Sequence, residues 1–479
     1  MDLSQKVMSA LRWSAAARFF GQLFSWGITI FVIRLLDPQD YGLMAMAMVL
    51  VSGLILLNTW GLDAVLVQTE TVSEYLRQQI FGAVIVFNLF IFAALQLLSP
   101  ALAGWYGEPS LEPVLRLLSV QFLLLIFETL PQSALEREIE FAHRSVVDFV
   151  TLVIASLTTL ALALLGYGVW ALAWGAVVGN ASRVIGLNLI IRNLVWPRFS
   201  FSGMREHFAF GGFVSADRGL WFLFSESDKF IGGKMLGSQA LGYYSVASQL
   251  ASMPIHKMTG LLNAVAFPAF SQAHANTSNA QVQDYLLKAS RLLSIAAIPV
   301  FFGMSCTAPL FVNVLLGDKW APAAPLLQLL ALVMPLRLLG NIFPPLLWGT
   351  GQPRVSASNF ALASVFMVAA FLFGSQWGVI GLAYAWVFMF PLVFMVTAHR
   401  SCRAIHLPIG RYLKQLWRPA IAGLAMYAAV LAANPIVVTA FGPVGELAQL
   451  VSVGAAVYLI ALWLLDRQSM VETISLLRK

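Results

Sequence analysis

The stretch RLLDPQDYG at residues 34–42 returns 200 positions later as KMLGSQALG at residues 234–242. The positions that are identical in the two copies are Leu36 and Leu236, Gln39 and Gln239, and Gly42 and Gly242. The same offset pairs Arg18 with Arg218, and a second repeat pairs GVWALAW at 168–174 with GVIGLAY at 378–384. The chain therefore contains two related halves, and we expect the fold to contain two copies of one unit.

The composition indicates that both copies lie in a membrane. Of the 479 residues 59% are hydrophobic and 11% are charged, whereas a soluble domain carries about 25% charged residues. Apolar runs long enough to cross a bilayer as helices recur along the chain, and they predict an all-α polytopic membrane protein with about 14 transmembrane helices. The N-terminal residues are interpreted as a retained first span and not as a signal peptide. The spans are expected near residues 10–33, 41–66, 79–100, 113–131, 145–166, 168–191, 208–232, 241–270, 286–316, 322–349, 355–374, 378–399, 417–433 and 444–465.

The repeats divide these spans into two sets of six. Span 1 matches span 7 and span 6 matches span 12, and because six is an even number the two copies have the same orientation, as parallel repeats do. The expected architecture is two pseudo-symmetric lobes around a central cleft. The predicted domains are an N-terminal lobe at 1–192, a cytoplasmic linker at 193–207, a C-terminal lobe at 208–400, and a C-terminal pair of spans with a basic loop and tail at 401–479.

The distribution of Lys and Arg predicts the orientation. With a cytoplasmic N-terminus, most of these cations fall in cytoplasmic loops and ends, as the positive-inside rule requires. The basic segment HRSCRAIHLPIGRYLKQLWRP at 399–419 is one of the strongest of these anchors. Both termini are therefore expected in the cytoplasm, and the protein in the cytoplasmic (inner) membrane.

Several classes of function lack their motifs. The chain has no Gly-rich phosphate-binding loop followed by Lys-Ser/Thr, no His-Glu-x-x-His and no Gly-x-Ser-x-Gly. Its two cysteines, Cys306 and Cys402, offer neither a disulfide framework nor a metal site. The net charge of +7 comes from basic residues close to the membrane and not from a free basic face. We expect no enzyme activity, no cofactor, no metal and no nucleic-acid partner.

The segment SADRGLWFLFSESDKFIGG at 215–233 places ionisable residues inside a predicted span. A charge at the centre of a spanning helix costs about 3 kcal/mol, so this helix should face protein or water. Positions 11 apart return to nearly the same side of a helix, so Asp217 lies above Asp228 and Arg218 above Lys229, and these charges share one side of the helix. The ionisable residues of the segment are Asp217, Arg218, Glu226, Asp228 and Lys229. They either line a cleft or form local ion pairs, with Glu226, Asp228 and Lys229 near the outer interface.

Cations inside the predicted spans point to an anionic cargo. Arg218 lies about 15 Å into its helix at 1.5 Å per residue, and its repeat mate Arg18 should lie at a similar depth. Guanidinium groups bind phosphate with two parallel hydrogen bonds and stay charged. Lys257 and Arg337 each follow a proline that should kink the helix. Intramembrane ionisable groups are functional candidates, and they include Glu128 of span 4 and Arg183 of span 6.

The segment at 208–254, with its core DKFIGGKMLGSQALGYY at 228–244, and the stretch at 34–42 resemble the polysaccharide-transporter branch of the multidrug/oligosaccharidyl-lipid/polysaccharide exporter superfamily. They are most similar to flippases of the colanic-acid-exporter type. The resemblance implies a flippase for undecaprenyl-pyrophosphate-linked oligosaccharide repeat units, driven by an ion gradient or the membrane potential through alternating access. Polysaccharide polymerase and assembly proteins are implied partners, besides membrane lipids.

On this resemblance Arg18, Arg218, Lys257 and Arg337 would hold the pyrophosphate. Asp217, Glu128 or Asp228 would carry a coupling proton or pair with the cations, and the sequence leaves both roles open. Three other functions also remain open: an ion-coupled multidrug exporter, a peptidoglycan lipid-precursor flippase, and a scaffold for polysaccharide assembly. The excess of in-span cations disfavours the drug exporter, which would need an acidic and aromatic cavity.

Overall fold

The computed structural model describes Gly21 and residues 24–68, 72–138, 141–191, 195–275, 279–435 and 442–467. Within these residues all regular secondary structure is helical, as the sequence predicts. The helices of the first half are α1 (Phe24–Leu35), α2 (Pro38–Ile55), α3 (Leu62–Gln68), α4 (Glu74–Tyr106), α5 (Leu111–Leu125), α6 (Thr129–Glu138), α7 (Phe141–Leu164) and α8 (Val169–Ile190). They are followed by α9 (Arg205–Ala275), α10 (Asn279–Cys306), α11 (Ala308–Leu316), α12 (Ala323–Gly340), α13 (Phe343–Gly349), α14 (Pro353–Gly374), α15 (Gly378–Ala404), α16 (Ile409–Leu413), α17 (Trp417–Ala433) and α18 (Gly442–Leu465).

Length and hydropathy mark membrane-crossing helices along the described part of the chain. Seven helical stretches there are long and apolar enough to cross a bilayer, and the bent pair of α5 and α6 makes an eighth. The stretch Pro353–Ala404 contains both α14 and α15, and α1 and α17 are shorter apolar helices. A polytopic all-α membrane protein is therefore confirmed. The number of about 14 spans is compatible with these helices and stays a prediction.

Two predicted spans are interrupted and two are joined at a kink, in ways that hydropathy does not reveal. The predicted span at 41–66 consists of α2 and α3, separated by a turn. The span at 113–131 bends by 56° between α5 and α6. The predicted spans at 208–232 and 241–270 both lie in α9, which consists of two helical segments joined at a kink between them, at Gly237 with φ 79 and ψ 176. That φ lies in the region that glycine adopts without a Cβ penalty.

The chain packs as two compact units. The first comprises Met1–Phe222 and Gly232–Gly242, and the second comprises Leu223–Ile231 and Tyr243–Lys479. Helix α9 therefore contributes residues to both. The lobe boundaries derived from the repeat remain a prediction.

Each unit has its own apolar core. In the first unit α3, α4 and α6 bury one cluster that includes Leu62, Ile80 and Leu130, with Met204 from the segment before α9. In the second unit α10, α17 and α18 bury another around Met426. The Tyr458 hydroxyl donates to the Ile295 carbonyl at 3.0 Å, so α18 is held to α10 by a hydrogen bond as well as by packing.

The two copies of the 34–42 repeat meet inside the first unit. A Cβ on Gly42 would overlap the backbone of Ser238, and a Cβ on Gly242 would overlap the backbone of Pro38. Because Gly42 and Gly242 are repeat mates and Pro38 and Ser238 are at the same offset, the two contacts are reciprocal. The glycines shared by the repeats thus allow α2 and α9 to cross backbone to backbone.

Candidate functional site

Arg218 of α9 is held by an acid that the sequence analysis did not select. Its Nη2 lies 2.9 Å from Asp63 Oδ2 and its Nη1 lies 3.2 Å from Asp63 Oδ1, so both oxygens of the carboxylate accept from one guanidinium. The Thr59 hydroxyl donates to Asp63 Oδ1 at 2.8 Å. The side chains of Arg218 and Asp63 are 36% and 32% exposed, so solvent reaches the pair.

A strained turn between α2 and α3 places Asp63. Trp60 and Gly61 have φ values of 49° and 68°, and a positive φ is uncommon for tryptophan. The Trp60 indole Nε1 donates to the Phe208 carbonyl at 3.3 Å, and Gly61 packs against Gly211 so closely that neither has room for a Cβ. This contact brings the start of α3 beside the first turns of α9. Asp63 then lies in the first turn of α3, where the helix dipole favours a negative charge.

The sequence did contain a signal for Asp63, because the residue falls inside the predicted span at 41–66 and an intramembrane acid is a functional candidate. Nothing in the sequence identified Arg218 as its partner 155 positions away.

Asp228 is the most buried of the predicted site residues, at 2% exposure. Its Oδ2 accepts from the Tyr244 hydroxyl at 2.6 Å and from Trp386 Nε1 at 3.1 Å, and its Oδ1 accepts from the Lys229 backbone N–H at 2.8 Å. These three donors satisfy a carboxylate that would otherwise be costly to bury. Tyr244 and Trp386, also buried, carry no motif by which the sequence could have selected them.

Arg337 of α12 approaches this cluster through an aromatic ring. Its guanidinium carbon lies 4.2 Å from the Trp386 ring centroid, in cation–π geometry. The negative charges of Asp228 and Glu226 act on it. The Arg337 side chain makes no hydrogen bond or ion pair with any residue that the structure describes. Its fork of five N–H donors is therefore not engaged by those residues.

Glu226 and Lys229 pair with each other. Lys229 Nζ lies 2.7 Å from Glu226 Oε2, and each side chain is about one quarter exposed. Pairs at this spacing on one helix contribute little to stability. Of the two roles that the sequence left open, this geometry supports local ion pairing for Glu226 and Lys229.

Glu128 lies at the bend between α5 and α6, in an ion-pair network. Arg183 Nε lies 2.8 Å from Glu128 Oε1, and Arg183 Nη1 lies 3.1 Å from Asp148 Oδ1. Arg183 Nη2 also donates to Gln132 Oε1 at 3.3 Å. One guanidinium thus joins α8 to the bend before α6, to α6 and to α7, which favours pairing with a cation over proton coupling for Glu128.

Three predicted site residues remain, namely Arg18, Lys257 and Asp217. Arg18 lies outside the described residues, and Lys257 belongs to α9 but its side chain lies outside the described part. Asp217 is partly buried, and its side chain makes no hydrogen bond to any described residue. Arg218 belongs to the first unit and Arg337 to the second. Among the described residues no group of His, Cys, Asp and Glu side chains is suited to a metal ion.

Known proteins resemble the chain over most of its length. The family model described as "Polysaccharide biosynthesis protein" matches residues 31–325, and the model of the lipid II flippase MurJ matches residues 228–452. The succinoglycan biosynthesis transport protein ExoT of Rhizobium meliloti is 28% identical, over 88% of this chain and 85% of its own. The lipopolysaccharide biosynthesis protein WzxC of Escherichia coli is 24% identical, over 88% of this chain and 86% of its own.

A solved structure has a similar fold. The lipid II flippase MurJ in an inward closed conformation superposes with a TM-score of 0.71 at 15% sequence identity, covering 96% of this chain and 99% of that one. At this identity the likeness establishes the fold.

Proposed function

The chain belongs to the polysaccharide biosynthesis protein family, and on that premise we propose that it is a flippase for undecaprenyl-pyrophosphate-linked oligosaccharide repeat units. It is a multi-pass inner-membrane protein of a transporter class and not an enzyme. The proposed cargo would cross the cytoplasmic membrane for exopolysaccharide or surface polysaccharide assembly. The relatives ExoT, a succinoglycan biosynthesis transport protein, and WzxC, a lipopolysaccharide biosynthesis protein, support this class of cargo.

One observation carries the proposal more than any other. Arg337 lies in an apolar helix that can cross a membrane, yet its guanidinium makes no hydrogen bond or ion pair to the described residues. A cation in such a place is expensive unless it serves a ligand or a partner. A pyrophosphate supplies the charge and the paired oxygens that guanidinium binds well. We assign Arg18, Arg218 and Lys257 to the same anion.

The coupling step is assigned to the acids. Asp228 is the strongest candidate, because it is buried and held by three donors beside Arg337, so binding of an anion at Arg337 would act on its charge. Asp217 is a second candidate, and Glu128 is assigned to its ion-pair network. Movement would occur by alternating access driven by an ion gradient or the membrane potential, with both termini cytoplasmic. Polysaccharide polymerase and assembly proteins would receive the cargo.

A second candidate function is a flippase for the peptidoglycan lipid precursor. It is favoured by the match of residues 228–452 to the MurJ family model and by the shared fold. Both functions use a cationic site, so the lipid that accumulates without the protein distinguishes them.

The test is deletion of the gene in its native host, followed by mass spectrometry of polyprenyl-pyrophosphate species. We expect one oligosaccharide-linked lipid to accumulate and its polymer to disappear from the cell surface. Accumulation of the peptidoglycan precursor instead would favour the second candidate. A normal lipid profile in a host without a redundant flippase would contradict both.

Complementation of the deletion tests the site. Arg337→Ala and Arg218→Ala should each abolish polymer export while the protein stays at its normal level in the membrane. Arg116→Ala is the matched control, because Arg116 also pairs with an acid, Glu112 at 2.8 Å, and lies outside the proposed site. Export that survives Arg337→Ala would contradict the assignment of Arg337 to the pyrophosphate of the cargo.

A further inference from the structure

We propose that Asp63 is a specificity-determining residue that occupies the guanidinium fork of Arg218 until an anion displaces it. The cargo's phosphate oxygens would take the positions that the Asp63 oxygens hold, and Asp63 would return when the cargo leaves. This inference rests on the proposed function, because it takes the anion to be the pyrophosphate of the cargo.

The first step is geometric. Arg218 uses both Nη atoms on Asp63, at 2.9 and 3.2 Å. A guanidinium presents two parallel donors to a carboxylate or a phosphate in the same manner. A phosphate can therefore bind this edge of Arg218 only after Asp63 has moved. The pair and a bound anion on that edge exclude each other.

The second step concerns how readily the pair opens. About a third of each side chain is exposed, so the ion pair is reachable by solvent and by a ligand. Ion pairs that water reaches contribute little net stability. An anion with more than one negative charge and adjacent oxygens can therefore replace Asp63. The buried Asp228 cluster, by contrast, is closed to such exchange at 2% exposure.

The third step concerns what stabilises the Asp63 carboxylate after it is displaced. The Thr59 hydroxyl donates to Asp63 Oδ1, and the start of α3 favours a negative charge there. Contacts of Trp60 and Gly61 with α9 fix the turn before Asp63. A small rotation of the Asp63 side chain therefore breaks the pair while the carboxylate stays near Thr59 and the start of α3, so its charge remains compensated and it can return to Arg218.

This arrangement selects among anions. Replacing one carboxylate by another at Arg218 gains no binding free energy, so lipids that carry a single carboxylate are not favoured over Asp63. A pyrophosphate carries more charge and more acceptor oxygens than a carboxylate, so it binds Arg218 more strongly than Asp63 does. Competition from Asp63 thereby excludes fatty acids from Arg218 and admits lipid pyrophosphates.

The experiment measures binding of inorganic pyrophosphate to the purified full-length protein by calorimetry, for the wild type and Asp63→Asn. Without the competing charge, the dissociation constant should fall by about 1.5- to 5-fold, the range expected for loss of one exposed ion pair. Asp63→Glu should restore weaker binding, since it restores the charge. Glu112→Gln is the matched control, because Glu112 is 33% exposed and pairs with Arg116 at 2.8 Å. It should leave binding unchanged.

Transport kinetics distinguish this role from a merely structural one, which would not change the apparent KM and kcat in this way. In vesicles Asp63→Asn should lower the apparent KM for the lipid cargo and also lower kcat, because release slows when Asp63 cannot return. Asp63→Ser serves as the second variant where Asp63→Asn does not fold, with the same expectation. Pyrophosphate binding that is unchanged or weaker in a folded Asp63 variant would overturn the inference.

The outcome separates this inference from the proposed function. Tighter pyrophosphate binding by Asp63→Asn, in a host whose deletion strain accumulates no lipid-linked oligosaccharide, would support the competition at Arg218 and contradict the proposed cargo. Unchanged binding in a host that does accumulate the lipid would overturn the inference and leave the flippase standing.

Discussion

A single buried carboxylate illustrates how this protein tolerates charge in an apolar environment. Asp228 is 2% exposed, and its oxygens accept from the Tyr244 hydroxyl, Trp386 Nε1 and a backbone N–H. Hydrogen bonds to a charged group are stronger than those between neutral groups. Loss of one donor would leave part of the charge unsolvated, so each donor should be individually measurable.

Tyr244→Phe removes the shortest of these hydrogen bonds without creating a cavity. We expect the free energy of unfolding to fall by about 2 kcal/mol, the usual value for a hydrogen bond to a charged group. The midpoint of thermal unfolding in detergent measures it. Tyr243→Phe is the control, because the Tyr243 hydroxyl makes no hydrogen bond to the described residues. Equal shifts for the two variants would contradict the role given to Tyr244.

At the scale of elements, the crossing of α2 and α9 depends on the absence of side chains. Gly42 faces the backbone of Ser238, and Gly242 faces the backbone of Pro38. Backbone atoms cannot rotate away as the end of a flexible side chain can. The crossing therefore requires glycine at both repeat positions, whereas Gly104 and Gly303, which have open space around them, do not share this constraint.

Gly42→Ala should force α2 and α9 apart and lower the unfolding free energy by about 1–3 kcal/mol, the usual cost of overpacking. Gly104→Ala in α4 is the control, because a Cβ there meets nothing within 4 Å and alanine favours a helix. The yield of folded protein and its thermal midpoint report both. A stable Gly42→Ala protein would show that the crossing is looser than described.

At the scale of the whole molecule, the distribution of cations predicts the orientation in the membrane. In the second unit exposed basic residues gather where α14 begins, where α15 ends and at α16, namely Arg354, Arg403, Arg411 and Lys414. Such clusters remain on the cytoplasmic side when a membrane protein inserts. With this end in the cytoplasm, the turn between α4 and α5 is expected on the outside.

Cysteine labelling tests this orientation in a background where Cys306 and Cys402 are replaced by alanine. An impermeant maleimide added to intact spheroplasts should label Ser110→Cys, which lies between α4 and α5. It should label Pro408→Cys, before α16, only after the membrane is opened. Labelling in the reverse order would place both termini outside.

Sequence patterns recovered most of the helices but not their interruptions. The predicted spans at 355–374, 417–433 and 444–465 agree closely with α14, α17 and α18, because an apolar run has the same meaning wherever the helix packs. The breaks at 56–61 and 126–128 fall inside predicted spans, because apolar residues flank the few polar ones, Asn58, Thr59 and Glu128. They depend on contacts made elsewhere, such as that of Trp60 with Phe208.

The helical, membrane-spanning and repeated character of this protein follows from its residues alone, because hydropathy and repetition are local properties of a chain. The same residues marked Arg218, Asp228 and Arg337 as charges in apolar surroundings, since burial of charge is costly in any fold. Their partners depended on folding. Asp63 meets Arg218 across 155 positions and Trp386 meets Asp228 across 158. Pairing at that separation arises from how helices pack, which no local pattern encodes.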